Sequence, residues 1–321
     1  MTTPAVTILM PAYNVSSYIG EAVSSVLAQD FTDYELLIID DGSTDDTPEI
    51  VQLFHDPRIR LLRQTHTGIA AALNLGLKEA RAGLVARFDA DDICLPGRIA
   101  SQVRFLSEHP DYVICGGNAE YINAEGEHLF HYKCHAFSHE EIVDHIYDQC
   151  PFIHSAVMYR RNAILEVGGY PGDANNFEDH LLWVRLVDKG KYANLQQELI
   201  RVRFNPSSVT MDEKWRGDKF GSLKKQVLRQ GFVKPEQHSE LQSILQSQDL
   251  RKIKEGAYYA LCGKKFLLDN HQPAKARHNL SRAIRSYPLR WDNYALYLLS
   301  FFPSSWIGWL HRSQSIQTKQ R

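Results

Sequence analysis

No stretch of the 321 residues offers about 20 uninterrupted apolar positions, so the sequence holds no evident bilayer span. The opening residues, MTTPAVTILMPAYN, lack a basic stretch, an apolar core and a small-residue cleavage site, and are not expected to form a signal peptide. Cysteine is sparse and scattered: Cys94, Cys115, Cys134, Cys150 and Cys262 form no CxxC pair and suggest no disulfide framework. A reducing cytoplasm is the simplest expectation. Several chemistries lose their sequence signature as well. No GxGxxG follows the first apolar run, which argues against a dinucleotide cofactor, and no GxxxxGK[ST] phosphate loop occurs. A Gly-rich loop with a following Arg, as sugar-phosphate nucleotidylyltransferases carry, is missing, and so are GxSxG and HExxH. No nucleic-acid-binding motif accompanies the basic end of the chain, so no nucleic-acid partner is expected.

What is present is an ordinary soluble composition, 44% hydrophobic and 23% charged. The length suits two domains, or one large α/β domain with an appendix. The formal net charge of −2 conceals a division. Residues 1–212 hold 16 basic and 30 acidic side chains, and residues 213–321 hold 20 and 8. A body at −14 therefore carries an appendix at +12, which implies mutual docking or an anionic partner.

Along the first hundred residues, short apolar runs alternate with helical periodicity. VTILM (6–10) and YELLIID (34–40) read as buried strands, and IRLLRQ (59–64) and LVARFD (84–89) as the third and fourth strands. Between them, Ile19, Val23, Val26 and Leu27 mark one helix, and Ile69, Leu73, Leu77 and Ala80 mark another. Thr47 followed by Pro48 reads as a cap and first turn, and Pro96 as the opening of a further helix. Four such alternations predict an open, mostly parallel sheet with helices on both faces. Ligands bind such sheets beyond the carboxyl ends of the strands, where PAYN (11–14), DDGSTDD (40–46) and the acidic cluster Asp89, Asp91 and Asp92 all fall. From 112 to 210, short strands (112–116, 119–123, 128–133, 155–160, 198–203) alternate with helices near 139–147 and 178–189. Beyond 213 the chain reads as helical, and Ala276, Leu280 and Ala283 match the inner face of one hairpin.

Three carboxylates in four positions repel one another. A calcium loop of the EF-hand type would need Gly at its sixth position and an acid at its twelfth, yet Cys94 and Ala100 stand there. A hard divalent ion, Mg2+ or Mn2+, held by one or two carboxylates and phosphate oxygens, suits the cluster better than a solvated turn.

VTILMPAYN, LLIIDDGSTDDT, TGIAAALNLGL, RFDADDICLPGRIASQ and NFEDHLLWVRL occur in that order. Together, over roughly residues 4–210, they resemble glycosyltransferase family 2, inverting enzymes of the GT-A fold. The resemblance implies a GT-A type, Rossmann-like α/β domain over 1–212, followed by a helical, basic region over 213–321. It implies donor contacts from Pro11, Ala12, Tyr13, Asp41, Asp89 and Arg203, and a metal at Asp91 with Asp89 and Asp92. It also implies a catalytic base at Asp179 supported by Glu178. The expected activity is metal-dependent transfer of a hexosyl or N-acetylhexosaminyl group from a nucleotide diphosphate sugar, UDP-linked in expectation, with Mn2+ or Mg2+. The expected acceptor is a glycan or lipid-linked hydroxyl, at the cytoplasmic face of a membrane. The alternative is a non-catalytic nucleotide-sugar-binding or scaffold relative. One departure is that Asn205 stands where many relatives carry His after Arg203. His154 is a polar residue near the expected acceptor side whose plainer reading is structural. Finally, WDNYALYLLSFFPSSWIGWLHR (291–312) is rich in aromatics and too broken to span a bilayer, but suited with its basic surroundings to an anionic membrane surface.

Overall fold

The computed structural model describes residues 3–206, 217–247 and 250–303. β1 (Val6–Ala12) and β2 (Tyr34–Asp40) are buried along their whole length, the state their unbroken apolar runs call for. They pair in parallel from Val6↔Tyr34 to Ala12↔Asp40. The helices between strands follow: α1 (Ile19–Leu27), α2 (Thr47–Gln52) and, after β3 (Ile59–Arg63), α3 (Ile69–Glu79). α1 buries Ile19, Ala22, Val23 and Val26. α3 buries Ala72, Leu73, Gly76 and Leu77, and leaves Ile69 exposed, against the sequence expectation. Its first residue follows Gly68 at φ 94°, at the helix mouth and away from the face that packs on the sheet. Gly76 is needed for closeness: a Cβ there would lie 2.1 Å from Leu9 Cδ1 of β1.

β4 (Leu84–Arg87) pairs with β1, and a two-residue strand, β5 (Ile93–Cys94), follows the acidic turn. α4 (Arg98–Glu108) starts two residues after Pro96, because Gly97 turns the chain at φ 77°. It buries Arg98 and Gln102 together with Ile99 and Leu106. β6 (Tyr112–Ile122) is one continuous strand, not two. β7 (His128–Tyr132) pairs with it. After α5 (His139–His145), β8 (Met158–Arg160), α6 (Arg161–Glu166) and α7 (Glu178–Leu186), β9 (Lys191–Arg203) runs seven residues longer at its start than the pattern predicts. The nine strands of the described residues have the order β3-β2-β1-β4-β8-β6-β9-β5, with β7 beside β6. Pairing is parallel from β3 to β4 and antiparallel where β8 meets β4 and β6 and where β5 meets β9. The sheet is therefore mixed, with the parallel half carrying the acidic loops.

The helix after β2 begins at Thr47, with Asp46 at the capping position. The Thr47 hydroxyl is spent elsewhere: it donates to Asp45 Oδ1 at 2.6 Å and accepts from Val15 N at 2.9 Å.

Two compact units interleave along the chain. The first takes residues 1–120, 131–202 and 222–238, and its core gathers Leu9, Leu37, Leu73, Val85, Trp183 and Tyr192. The second takes 121–130, 203–221 and 239–321. Its helices include α9 (Pro235–Ser247, from His238 back in the first unit), α10 (Leu250–Leu268), α11 (Pro273–Ser286) and α12 (Trp291–Leu299), which follow α8 (Asp218–Gln230). Ala276, Leu280 and Ala283 are fully buried there, as the hairpin pattern requires, against Tyr258, Cys262 and Phe266. Gly263 lets α10 and α11 close up, since a Cβ would lie 2.6 Å from Leu280 Cγ. No helix of the described residues is long and apolar enough to cross a membrane. Residues 304–312 of the aromatic tail lie outside the described residues.

Candidate active site

Loops leave the carboxyl ends of β1, β2, β3 and β4, and hydrogen bonds tie the first three together. Asn14, at φ 49°, donates its backbone N–H to Ser43 Oγ at 3.0 Å and accepts from Thr44 N at 2.8 Å. Asp45 accepts from Ser16 N at 3.0 Å. Burial works against its charge, but the hydrogen bonds from Thr47 and Ser16 outweigh it and hold Asp45 below the usual carboxylate range. Asp40 ends β2 fully buried and accepts from Ser43 N at 3.0 Å, with Arg63 Nε 3.1 Å from its other oxygen.

Asp41 has both oxygens engaged by the 64–68 loop. Oδ1 accepts from Thr67 N at 3.0 Å and Gln64 Nε2 at 2.6 Å, and Oδ2 accepts from Gly68 N at 2.9 Å. His66 Nδ1 also lies 2.9 Å from Oδ2. The His66 ring in turn stacks on Tyr13, 4.0 Å between centroids and 18° between planes. Pro11 and Ala12 are buried in β1, and Ala12 O accepts from Asp41 N at 2.8 Å. Tyr13 is exposed. Its packing partner His66 was not singled out in the sequence, and neither was the loop that Asp41 organises. The signal was the TGIAAALN segment directly after β3.

The acidic turn follows β4. Phe88 N donates to Leu9 O at 3.0 Å and Asp89 N to Ser155 Oγ at 3.0 Å, which fixes the backbone where the cluster begins. Asp89 and Asp91 are half-buried and Asp92 is buried. Arg87, the last residue of β4, is itself buried and forms an ion pair with Asp89. Burial opposes the charge on Arg87, yet Asp89 beside it more than compensates, so the guanidinium is held more firmly protonated than in water. Part of the repulsion among the three carboxylates is thus already offset by a cation the sequence reading passed over. Its signal was an Arg closing an otherwise apolar strand.

Among the described residues no group of three or more His, Cys, Asp and Glu side chains is gathered tightly enough to hold a metal alone. The donor set of Asp89, Asp91 and Asp92 is all carboxylate, which fits a hard cation whose remaining positions are filled by ligand phosphate oxygens and water.

Glu178 and Asp179 open α7. Asp179 Oδ1 accepts from His180 N at 2.7 Å, and the Cys150 thiol approaches Oδ2 at 3.8 Å. Burial, and then the adjacent charge of Asp179, push Glu178 up to about 7. Arg87 pulls in the opposite direction. α7 is anchored by His180, whose Nε2 donates to Ile146 O at 2.6 Å, and by Tyr192, whose hydroxyl donates to Trp183 O at 2.7 Å. His154 pairs with the Tyr170 hydroxyl at 3.0 Å, and burial, aided by Arg87, keeps it neutral, which agrees with its structural reading.

Arg203 belongs to the second unit. Its Nη1 donates to Ala124 O at 3.2 Å and approaches Asn123 O at 3.5 Å, so it braces the turn between β6 and β7. The other predicted site residues all belong to the first unit.

Residues 7–168 match the model of the family described as Glycosyl transferase family 2. An uncharacterised glycosyltransferase of Rickettsia felis is 32% identical over 206 residues, which are 64% of this chain and 34% of that protein. The chain thus spans about a third of the length of that relative. The O-antigen biosynthesis glycosyltransferase WbnJ of Escherichia coli is 28% identical over 64% of this chain and 81% of its own. Among solved structures, S. aureus TarS in complex with UDP-GlcNAc has a TM-score of 0.54 at 18% identity, covering 96% of this chain and 92% of its own. The mannosyltransferase PcManGT of Pyrobaculum calidifontis, in complex with GDP-Man and Mn2+, has a TM-score of 0.55 at 17% identity, covering 97% and 85%. These likenesses establish the GT-A type fold.

Proposed function

The chain belongs to glycosyl transferase family 2, and from that premise we propose that it is an inverting, metal-dependent transferase moving a hexosyl or N-acetylhexosaminyl group from a UDP-sugar to a hydroxyl. The observation that carries this reading is the acidic turn at the carboxyl end of β4, where Asp89 pairs with buried Arg87, on the strand next to β1, whose loop is tied to those after β2 and β3 by Asn14 and Asp41. The ligands bound in the structural neighbours, UDP-GlcNAc and GDP-Man with Mn2+, support a nucleotide-sugar donor.

In this proposal the Tyr13–His66 stack offers a planar surface for the base. The backbone rim from Pro11 to Tyr13 and the loop ordered by Asp41 complete that wall. Asp89 contacts the ribose or sugar. Asp91, with Asp89 and Asp92 alongside, would hold Mn2+ or Mg2+, which when bound would supply charge neutralisation for the departing diphosphate. The acceptor oxygen attacks the anomeric carbon as the bond from that carbon to the phosphate oxygen breaks, and the electron pair leaves with the nucleoside diphosphate. Asp179 takes the acceptor proton. Glu178, protonated over part of the neutral range, limits the repulsion Asp179 meets when ionised. The acceptor is a glycan or lipid-linked hydroxyl presented at the cytoplasmic face of a membrane.

A panel of radiolabelled UDP- and GDP-sugars, with and without Mn2+, tests the proposal. Transfer or slow hydrolysis of one UDP-sugar that requires the ion and disappears in Asp91→Ala is expected. No turnover of any donor, or equal turnover in chelator, refutes it.

A further inference from the structure

α12 is apolar on nearly every side, and a helix of that composition is normally enclosed. One side is enclosed. Leu296, Tyr297 and Leu299 pack on the second unit's core, Asn293 is buried, and Arg277 of α11 donates to Ser300 O at 2.6 Å, fixing the helix end. The other side is open. Trp291 is 83% exposed, Leu298 65% and Phe302 51%, with exposed Ala295 between them. Within the helix Trp291, Ala295 and Leu298 stand at i, i+4 and i+7 along one face, and Phe302 follows three residues past its end. Leu289 and Phe301, 80% and 62% exposed, flank it. Phe301 is held in place from below by the Arg277 guanidinium, 4.9 Å from its ring centre. The stripe is thus an exposed apolar ridge.

Two features say what covers it. The side chains are Trp, Phe and Leu, the types that settle at the boundary between water and hydrocarbon. The surrounding segment is also basic: residues 273–303 contain Lys275, Arg277, Arg282, Arg285 and Arg290 against the single acid Asp292. A second copy of this ridge would bring like charge to like charge, whereas an anionic surface complements it. At nine residues the helix is about 14 Å long, too short to cross a bilayer.

We propose that the α12 ridge is the surface by which this protein docks on anionic phospholipid, with Trp291, Leu298 and Phe302 entering the headgroup boundary and the arginines of α11 meeting lipid phosphate. It gives the membrane contact of the proposed function a specific site, and it does not depend on which sugar is transferred.

The test is flotation of the full-length protein with vesicles of phosphatidylcholine and phosphatidylglycerol, against phosphatidylcholine alone. The wild type floats with the anionic vesicles at low salt, and less at high salt. The triple variant Trp291→Ser, Leu298→Ser, Phe302→Ser keeps its melting temperature, because these side chains are exposed, and its partition coefficient falls about tenfold or more. Arg285→Glu weakens flotation only at low salt. The proposal is overturned if the wild type stays at the bottom of the gradient, or if the triple variant floats as well as wild type. It is also overturned if sedimentation shows a wild-type dimer that the triple variant dissolves. Donor hydrolysis in solution, unchanged in the triple variant, separates the two readings: transfer can stand where docking fails, and the reverse.

Discussion

Asp41→Asn separates two jobs for one carboxylate. If Asp41 serves only to read a bound base, the unliganded protein has no reason to notice the change. The structure says otherwise, because both oxygens face donors: Thr67 N and Gln64 Nε2 on one side, Gly68 N and His66 Nδ1 on the other. An amide is isosteric but acceptor on one side only. Whichever way it turns, its NH2 group meets an N–H. One charge-assisted hydrogen bond is lost and one backbone donor is left facing another donor at a residue 3% exposed, for a total cost of about 3 kcal/mol. With a urea slope of about 3 kcal/mol/M, the first unit's unfolding midpoint should drop by about 1 M. Amide exchange at Thr67 and Gly68 should accelerate in parallel. A midpoint within about 0.2 M of wild type would refute the cradle and leave ligand reading as the sole role.

Asp91→Ala should abolish transfer with the fold intact, since Asp91 is a turn residue outside the core clusters; chelation should do the same to wild type, and added Mn2+ or Mg2+ should restore it. Asp179→Asn should lower turnover by about 10²–10⁴-fold with donor binding by calorimetry unchanged, and near-normal turnover would move the base elsewhere. Glu178 is raised from its ordinary 4.5 to about 7, so the folded state binds its proton more tightly than the unfolded state. The stability this gives is fully present below pH 4.5 and is lost as pH rises through about 7; Glu178→Gln should flatten that decline, and an unaltered pH–stability curve would contradict it. Gly76→Val should drive α3 off Leu9 and cost about 1–3 kcal/mol in urea unfolding, whereas Gly172→Ala, where an added Cβ meets nothing, should be silent.

Periodicity carried the first four strands, although β3 is only half-buried, and it carried α1 and α3 on their apolar faces. It failed where tertiary contacts supplied the reason for a conformation. The pattern breaks at Gly117 and Asn118 between two strands, yet β6 runs straight through, with Gly116 and Gly117 inside it. They are there for closeness: a Cβ on Gly116 would lie 2.5 Å from Asn194 Oδ1, and one on Gly117 2.7 Å from Leu199 Cδ1. The polar start of β9 and the two residues of β5 have no local signal, since a strand held by its neighbours needs little propensity of its own. At the candidate site, the acidic turn was legible as carboxylates out of place, whereas Glu178 and Asp179 stood out only through the family resemblance, since alone they read as an N-terminal helix cap. Arg87 and the 64–68 loop were not, because an Arg at a strand end and a Gln-Thr-His-Thr loop look like ordinary surface until their partners are known. For Ile69 the error was positional, as the first residue of a helix points past the sheet it leads onto.

The interleaving of the two units bears on how such proteins can be recombined. α7 carries Glu178 and Asp179, but residues after 221 help to seat it: Arg185 donates to Gly231 O at 2.8 Å, the Lys224 ammonium sits 5.9 Å from the Phe177 ring centre, and Lys225 pairs with Asp148. A chain cut after 212 would keep all the acidic loops and lose these three contacts. Exchange of the helical region between relatives therefore has no single seam. A graft has to preserve 222–238 from the recipient, or bring a segment that supplies the same cations, before a borrowed C-terminal module can be inherited with the acidic loops left in working order.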